Sequence, residues 1–300
     1  SDSIHFDVTN DNSLITNLVV TSAGTNTYKP SADLTTVEIQ SVADADVVVT
    51  LAADTSVSTT TGAGDDLTVN GGTAYDVTLT ASTATEDLVV TGLDNTLTAN
   101  SILGNATVTS AGDLSLTATA AKGNVTITSG DDTTTVNTPA AAGTVTINSA
   151  GKIQATTLTA ATTIVLNNTG GTAATDDVVL TNGAAATSLT MTSVGAITAT
   201  AANQAAAAAI TATAAEDSAI QSNGVSNQVI NLNADSSGIT NTPEITYTLQ
   251  ASTVETLNLG GVTAIEVSID QADLSTETVT TTNTAGSALL FTNNGADADT

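Results

Sequence analysis

The chain has no cysteine, no tryptophan and no arginine, and only three lysines, three prolines and one histidine among 300 residues. Without cysteine it has no disulfide, no thiolate metal site and no thiol nucleophile. One histidine, His5, cannot build a zinc site without further nitrogen or sulfur ligands, and no motif supports a Ser-His-Asp arrangement. Thirty acids against three lysines give a net charge of -27. The basic footprint that nucleic acid requires is therefore missing, and so is one for docking directly on an anionic membrane. No apolar run approaches the roughly 18 residues of a bilayer span, so no membrane insertion is expected. Ser1-Asp2 opens the chain without the basic segment of a secretory leader, and the chain reads as a piece of something longer that starts and stops within its own pattern.

Aromatic residues make up 2% of the chain: Phe6, Phe291, Tyr28, Tyr75 and Tyr247. A core built from Ala, Val, Leu and Ile alone must be thin, because nothing bulky is available to fill a wide interior at native density. A carboxylate-only polysaccharide hydrolase remains conceivable in principle. The Arg, Lys, Trp and Tyr that usually grip sugars are nearly absent, however, and the sequence gives no reason to expect an enzyme.

What the chain does have is a phrase that keeps returning: an acid, then alternating β-branched and small residues. It reads GDDLTV at 64–69, YDVTL at 75–79, EDLVV at 86–90, GDLSL at 112–116, GDDTTTV at 130–136 and DDVVL at 176–180. GNVTITS at 123–129 and GTVTINS at 143–149 keep the beat with another residue in the acidic slot. Thr, Val and Ile favour pleated, half-buried backbone. In NVTITS, Val125 and Ile127 alternate with Thr126 and Thr128. Strand starts recur about every ten residues, punctuated by Gly, Asn, Asp and Ser.

This pattern predicts an all-β chain with a parallel β-solenoid, or β-helix, as its centre, about 20 residues per coil, and additional β modules at the ends. Tandem β-sandwich modules are the alternative, weakened by the missing large aromatics. The expected division is an N-terminal β segment over 1–45, a central solenoid over 46–225 and a C-terminal β module over 226–300. The likeness of TVEIQSVADADVVV at 36–49 to TVETLNLGGVTAIEV at 253–267 suggests equivalent positions in two copies of a larger module, with SNGVSNQ at 222–228 and NTPE at 241–244 as joints. The Ala-rich stretch from Ala199 to Asp217 reads either as a short helical excursion or as a coil with tight Ala packing, since AITAT falls on the strand beat at both 196–200 and 209–213.

The acidic corners raise the chemical question. Carboxylates stacked on neighbouring rungs stand about 5 Å apart, and each pair costs about 1 kcal/mol in water and about 3.5 at an effective dielectric near 20. A bound Ca²⁺, which prefers hard oxygen ligands, would reverse that sign. The candidate ligands are Gly62, Gly64, Asp65 and Asp66 in one Gly-rich corner, Asp131 and Asp132 in a second, and Asp176 and Asp177 in a third. The competing role for each aspartate is that of a turn former that bonds nearby backbone. The segment Gly62-Ala63-Gly64-Asp65-Asp66 resembles the nonapeptide calcium repeat of RTX proteins, with Thr61 in place of the first glycine and Thr68 where a large apolar residue is expected.

Taken with the Thr/Ala/Val/Gly/Asn-dominated composition, GAGDDLTV and TVETLNL make the chain resemble the lattice-forming portion of RTX-type surface-layer (S-layer) proteins of Gram-negative bacteria. The GNVTITS cadence is also similar to that of filamentous haemagglutinin-like adhesins, which are β-helical. The first resemblance implies an extracellular structural protein at the cell surface that assembles with copies of itself into a Ca²⁺-dependent two-dimensional lattice. It also implies type I secretion through a C-terminal signal and anchoring to lipopolysaccharide through regions outside this sequence. The second implies a secreted adhesin.

Overall fold

The computed structural model of the chain describes residues 4–7, 17–22, 26–29, 35–41, 46–59, 66–130, 133–138, 143–170, 176–201, 209–222, 228–237, 244–251, 256–271 and 278–293. Among these there is no helix, and so none long and apolar enough to cross a membrane. The chain forms two compact units, Ser1–Gly143 and Thr144–Thr300.

In the first unit, sheet A holds β1 (Ile4–Asp7), β3 (Asn26–Lys29), β5 (Val47–Thr50), β7 (Leu67–Asn70), β9 (Leu88–Gly92), β11 (Ala106–Ser110) and β13 (Val125–Ser129). Sheet B holds β2 (Asn17–Ser22), β4 (Thr36–Ser41), β6 (Thr55–Thr59), β8 (Val77–Thr85), β10 (Asn95–Ile102), β12 (Leu114–Ala118) and β14 (Thr134–Asn137). The chain visits the two sheets alternately, and each strand pairs in parallel with the strand two further on. That is a β-solenoid. Tandem sandwiches would pair their strands antiparallel.

The second unit repeats the design. Its sheet A holds β15 (Thr144–Ser149), β17 (Thr163–Asn168), β19 (Ser188–Thr192), β21 (Ala209–Ala214), β23 (Val229–Ala234), β25 (Thr256–Gly261) and β27 (Thr278–Thr281). Its sheet B holds β16 (Ile153–Thr157), β18 (Val178–Leu180), β20 (Ile197–Ala201), β22 (Ser218–Ser222), β24 (Glu244–Ala251), β26 (Ala264–Gln271) and β28 (Ser287–Asn293).

The core follows from the period-two alternation. Val47, Leu67, Leu88, Ala106 and Val125 form one inward column of sheet A. Val57, Leu79, Leu97, Leu116 and Val136 form one of sheet B. All are buried, with small aliphatics facing small aliphatics. Threonines alternate outward, as in the exposed Thr107, Thr109, Thr126 and Thr128. In the second unit Tyr247 is the largest fully buried side chain. Its hydroxyl donates to the carbonyl of Asn233 at 2.7 Å and lies 3.4 Å from that of Ala212, both in the opposite sheet. Burial pushes this phenol well above its usual range.

Pairing is continuous across the expected boundaries. Tyr28 pairs with Val49 and Ile39 with Thr59 around residue 45, and Ala209 with Val229 and Ile220 with Leu249 around residue 225. The phrase beginning at Thr36 opens β4 in sheet B, whereas the strand that starts at Thr256, within the phrase at 253–267, belongs to sheet A. The two phrases therefore run into different sheets. AITAT falls on strands both times, in β20 and β21. Residues 202–208 between them, and 223–227 and 241–243 of the two expected joints, lie outside the described residues.

Candidate functional site: the acidic corners

The acids before the strands form columns. Asp54, Asp76, Asp94 and Asp113 each immediately precede a strand of sheet B, and their Oδ1 atoms accept the backbone N–H of the same position one coil on. The distances are 3.0 Å to Asp76, 3.3 Å to Asp94, 2.9 Å to Asp113 and 2.7 Å to Thr133. The backbone carbonyls of the column are used as well: that of Asp94 accepts from Val77 N and that of Asp113 from Asn95 N, both at 2.9 Å. A second column precedes sheet A. Asp66 accepts from Asp87 N at 3.1 Å, Asp87 from Asn105 N at 2.6 Å, and Asn105 from Asn124 N at 3.0 Å.

The second column shows what the corner requires. Asp66 and Asp87 are followed by Asn105 in the same geometry, with Asn124 at the next position of the column. The constant feature is a short side-chain acceptor aimed at the next coil's N–H, with or without charge. Such a bond satisfies a donor that the sheet ladder does not reach. Asn105 and Asn124 were visible in the sequence as the slot before ATVTS and VTITS, but only the register shows that they continue an aspartate column.

The expected metal ligands are distributed as follows. Asp66 belongs to this second column. Asp177 does the same work in the second unit, its Oδ1 accepting from Ala196 N at 3.0 Å. Asp176 acts through its carbonyl, which accepts from Asn168 Nδ2 at 2.8 Å and Ser193 Oγ at 3.2 Å. Gly62, Gly64, Asp65, Asp131 and Asp132 lie outside the described residues. Among the described residues no group of three or more His, Cys, Asp or Glu side chains is arranged to hold a metal ion. A shallow depression of about 150 Å³ on the outer face of β20, β22 and β24 is lined by Thr198, Thr200, Gln221, Thr248 and Gln250, with no ionisable group.

Replacing Asp94 separates acceptor from charge. Asp94→Ala removes the acceptor for Asp113 N–H and is expected to cost about 1 kcal/mol in urea unfolding. Asp94→Asn keeps an acceptor and removes one charge from a column of four. It is expected to equal or exceed the wild-type melting temperature in EDTA at low salt, the gain vanishing as salt screens the column. If Ca²⁺ binds the column, the order of Asn and wild type reverses when Ca²⁺ is added.

One acidic pair lies elsewhere. Glu244, on the outer face of sheet B, has its carboxyl held above the usual carboxylate range. A hydrogen bond with the Glu266 carboxyl contributes most, followed by desolvation and by the negative charges of Glu266 and Asp217. A carboxyl whose pKa is raised on folding favours the folded state below its unfolded pKa, and that contribution is lost as pH rises through the folded value. Glu244→Gln is therefore expected to raise the melting temperature slightly at pH 7 and to leave it unchanged near pH 4, read by thermal denaturation at both.

Comparison of the chain with family models, with curated proteins and with solved structures gives no match.

Proposed function

We propose that this chain is a structural element of a bacterial surface coat, an extracellular S-layer-type protein that assembles with copies of itself into a two-dimensional lattice. The observation that carries the reading is the repetition itself. Coil after coil places similar polar residues on the outer faces and a short Asp or Asn acceptor at the corners, which makes a regular surface. Acids outnumber lysines 30 to three, so copies that pack through their acidic corners bring like charges together. Divalent cations are the simplest way to offset them, and Ca²⁺ suits carboxylate and carbonyl oxygens. Lipopolysaccharide contact belongs, in this reading, to regions outside the sequence.

Electron microscopy of the purified chain, with and without millimolar Ca²⁺, tests it. Ordered arrays are expected with Ca²⁺ and dispersed particles with EDTA. A ligand at about 100 times its dissociation constant stabilises the folded state by about 2.7 kcal/mol, so a melting temperature several degrees higher in Ca²⁺ is expected. Identical melting and assembly in EDTA remove calcium from the proposal. Absence of any array under all conditions, with saturable binding to a cell-surface glycan, favours the adhesin reading instead.

A further inference from the structure

We propose that the outer face of sheet B in the first unit binds ice, through a regular array of threonine and serine hydroxyls. This site is independent of the self-assembly reading.

The register builds the array. Ser56, Thr78, Thr96 and Ser115 stand in one outward column, and Ser58, Thr80, Thr98 and Thr117 in the next. The strands β6, β8, β10 and β12 therefore each carry a hydroxyl at both outward positions, and Thr135 extends the first column onto β14. Thr78, Thr80, Thr96, Thr98 and Thr117 are exposed. Among the described residues, none of the hydroxyls on these four strands' outward positions bonds another protein group. Strands repeat at about 4.8 Å, and the two columns lie about 6.6 Å apart, twice the rise per residue.

Uninterrupted free hydroxyls single out this face; neutrality alone does not, being common to much of the chain. On sheet A of the same unit, Val89 and the bond from Thr91 Oγ1 to Asn70 Oδ1 at 2.7 Å leave only the pairs Thr107/Thr109 and Thr126/Thr128. In the second unit, sheet A ties its outward residues to one another. Asn231 Nδ2 donates to Thr211 Oγ1 at 3.1 Å and Asn258 Nδ2 to Asn231 Oδ1 at 2.8 Å. Sheet B of that unit is broken by Gln154, Val179, Ala219 and Glu266.

The repeat names the ligand. A surface periodic in two directions is matched best by a ligand periodic in two directions, which a small molecule or an irregular protein surface is not. Charge complementarity requires the ligand to be neutral, because these strands carry no ionisable residue. A hydroxyl both donates and accepts, so the ligand does both as well. Ice meets all three conditions: the oxygens of its prism faces repeat at close to both spacings of the array. Each hydroxyl turned to solvent holds first-shell water at small entropic cost. The strand ladder fixes the spacing of those waters before ice arrives, and β-branched threonine has few χ1 choices to lose on contact. A carboxylate in the array would orient water around its charge and break the match.

The test uses the full chain. Ice grown slowly from its solution is expected to take the protein up, and the protein is expected to arrest recrystallisation of a fine-grained ice film. Thr98→Tyr sets a ring at the centre of the array, in a residue type that suits a strand. The concentration needed for arrest is expected to rise about tenfold or more, equivalent to about 1.4 kcal/mol. Thr80→Lys, which places an ammonium on the same array, is expected to give the same loss and serves where the tyrosine variant fails to fold. Thr126→Tyr makes the bulky change on sheet A of the same unit and is expected to match wild type. Circular dichroism checks the fold of all three. If ice excludes wild type as it excludes an unrelated acidic protein, the inference is overturned and the self-assembly reading stands. Unchanged arrest by the folded sheet B variants, or equal loss in Thr126→Tyr, overturns it as well. If wild type stays out of ice but adsorbs to crystalline cellulose, and Thr98→Tyr does not, the occupant is a neutral polysaccharide and the inference is overturned.

Discussion

Tyr247→Ala is expected to lower the stability of the second unit by about 3–5 kcal/mol, the largest effect of any single truncation in its core. The chain has few large side chains, and this one is fully buried, in register between Ser218 and Val267 of the neighbouring coils. It crosses the interior to bond the carbonyl of Asn233 at 2.7 Å, opposite a sheet whose inward residues include Ala212 and Ala234. Small residues on one sheet and one large residue on the other fill the same width. The thin core cannot collapse further to close the cavity that alanine leaves, since the core side chains of the coils above and below hold the two sheets apart. Tyr247→Phe keeps the ring and removes the hydroxyl, and is expected to cost about 1–1.5 kcal/mol. Urea unfolding gives the totals. Native-state hydrogen exchange is expected to show faster exchange in β22, β24 and β26 before any change in the first unit, because a stacked array couples mainly nearest neighbours.

The strand half of the repeat was legible in the sequence. Val125 and Ile127 point inward and Thr126 and Thr128 outward, as their alternation requires, and Val145 and Ile147 repeat the pattern. The coil length was legible too: successive corner bonds in the first unit join residues 18 to 22 apart. What alternation does not encode is which sheet a strand enters. Asp76 and Asp87 stand in adjacent phrases and read alike, yet they belong to different columns, because the chain changes sheets between them. The neighbours of Asp76 are Asp54 and Asp94. The same ambiguity made 36–49 and 253–267 look equivalent. Local pattern fixes the face of a residue within its strand, whereas the partner across the ladder depends on the accumulated length of every loop between.

The corners were legible as positions and less so in chemistry. A sequence shows a carboxylate and its cost when stacked. It does not show that Oδ1 of Asp94 meets the N–H of Asp113, or that Asn105 takes over the same duty from Asp87. Those bonds give the aspartates a structural role independent of any ion. Calcium at the corners, if bound, acts on carboxylates already ordered by the fold.

Gly130→Ala is expected to destabilise the first unit by about 3 kcal/mol, for a reason unrelated to glycine's flexibility. Gly130 follows β13 at a corner stacked on Ala111, and a methyl there overlaps the carbonyl oxygen of Ala111 and lies 2.6 Å from its carbonyl carbon. Both obstacles are backbone, so no rotamer change relieves them and the coils must separate locally. Separation strains the adjacent 2.7 Å bond from Thr133 N to Asp113, which ties this coil to the one before it. Gly72→Ala is the informative contrast. Gly72 has φ +64° with no neighbour within 4 Å, so the added methyl meets only the left-handed backbone penalty of about 1–2 kcal/mol. Thermal unfolding of the two variants separates the mechanisms. A cost for Gly130→Ala no greater than for Gly72→Ala means that the corner has slack, and the coil-on-coil contact at Ala111 is then not a fixed distance. The larger expected cost means that backbone contact at the corners, as well as hydrogen bonding along the sheets, sets the spacing of the stack.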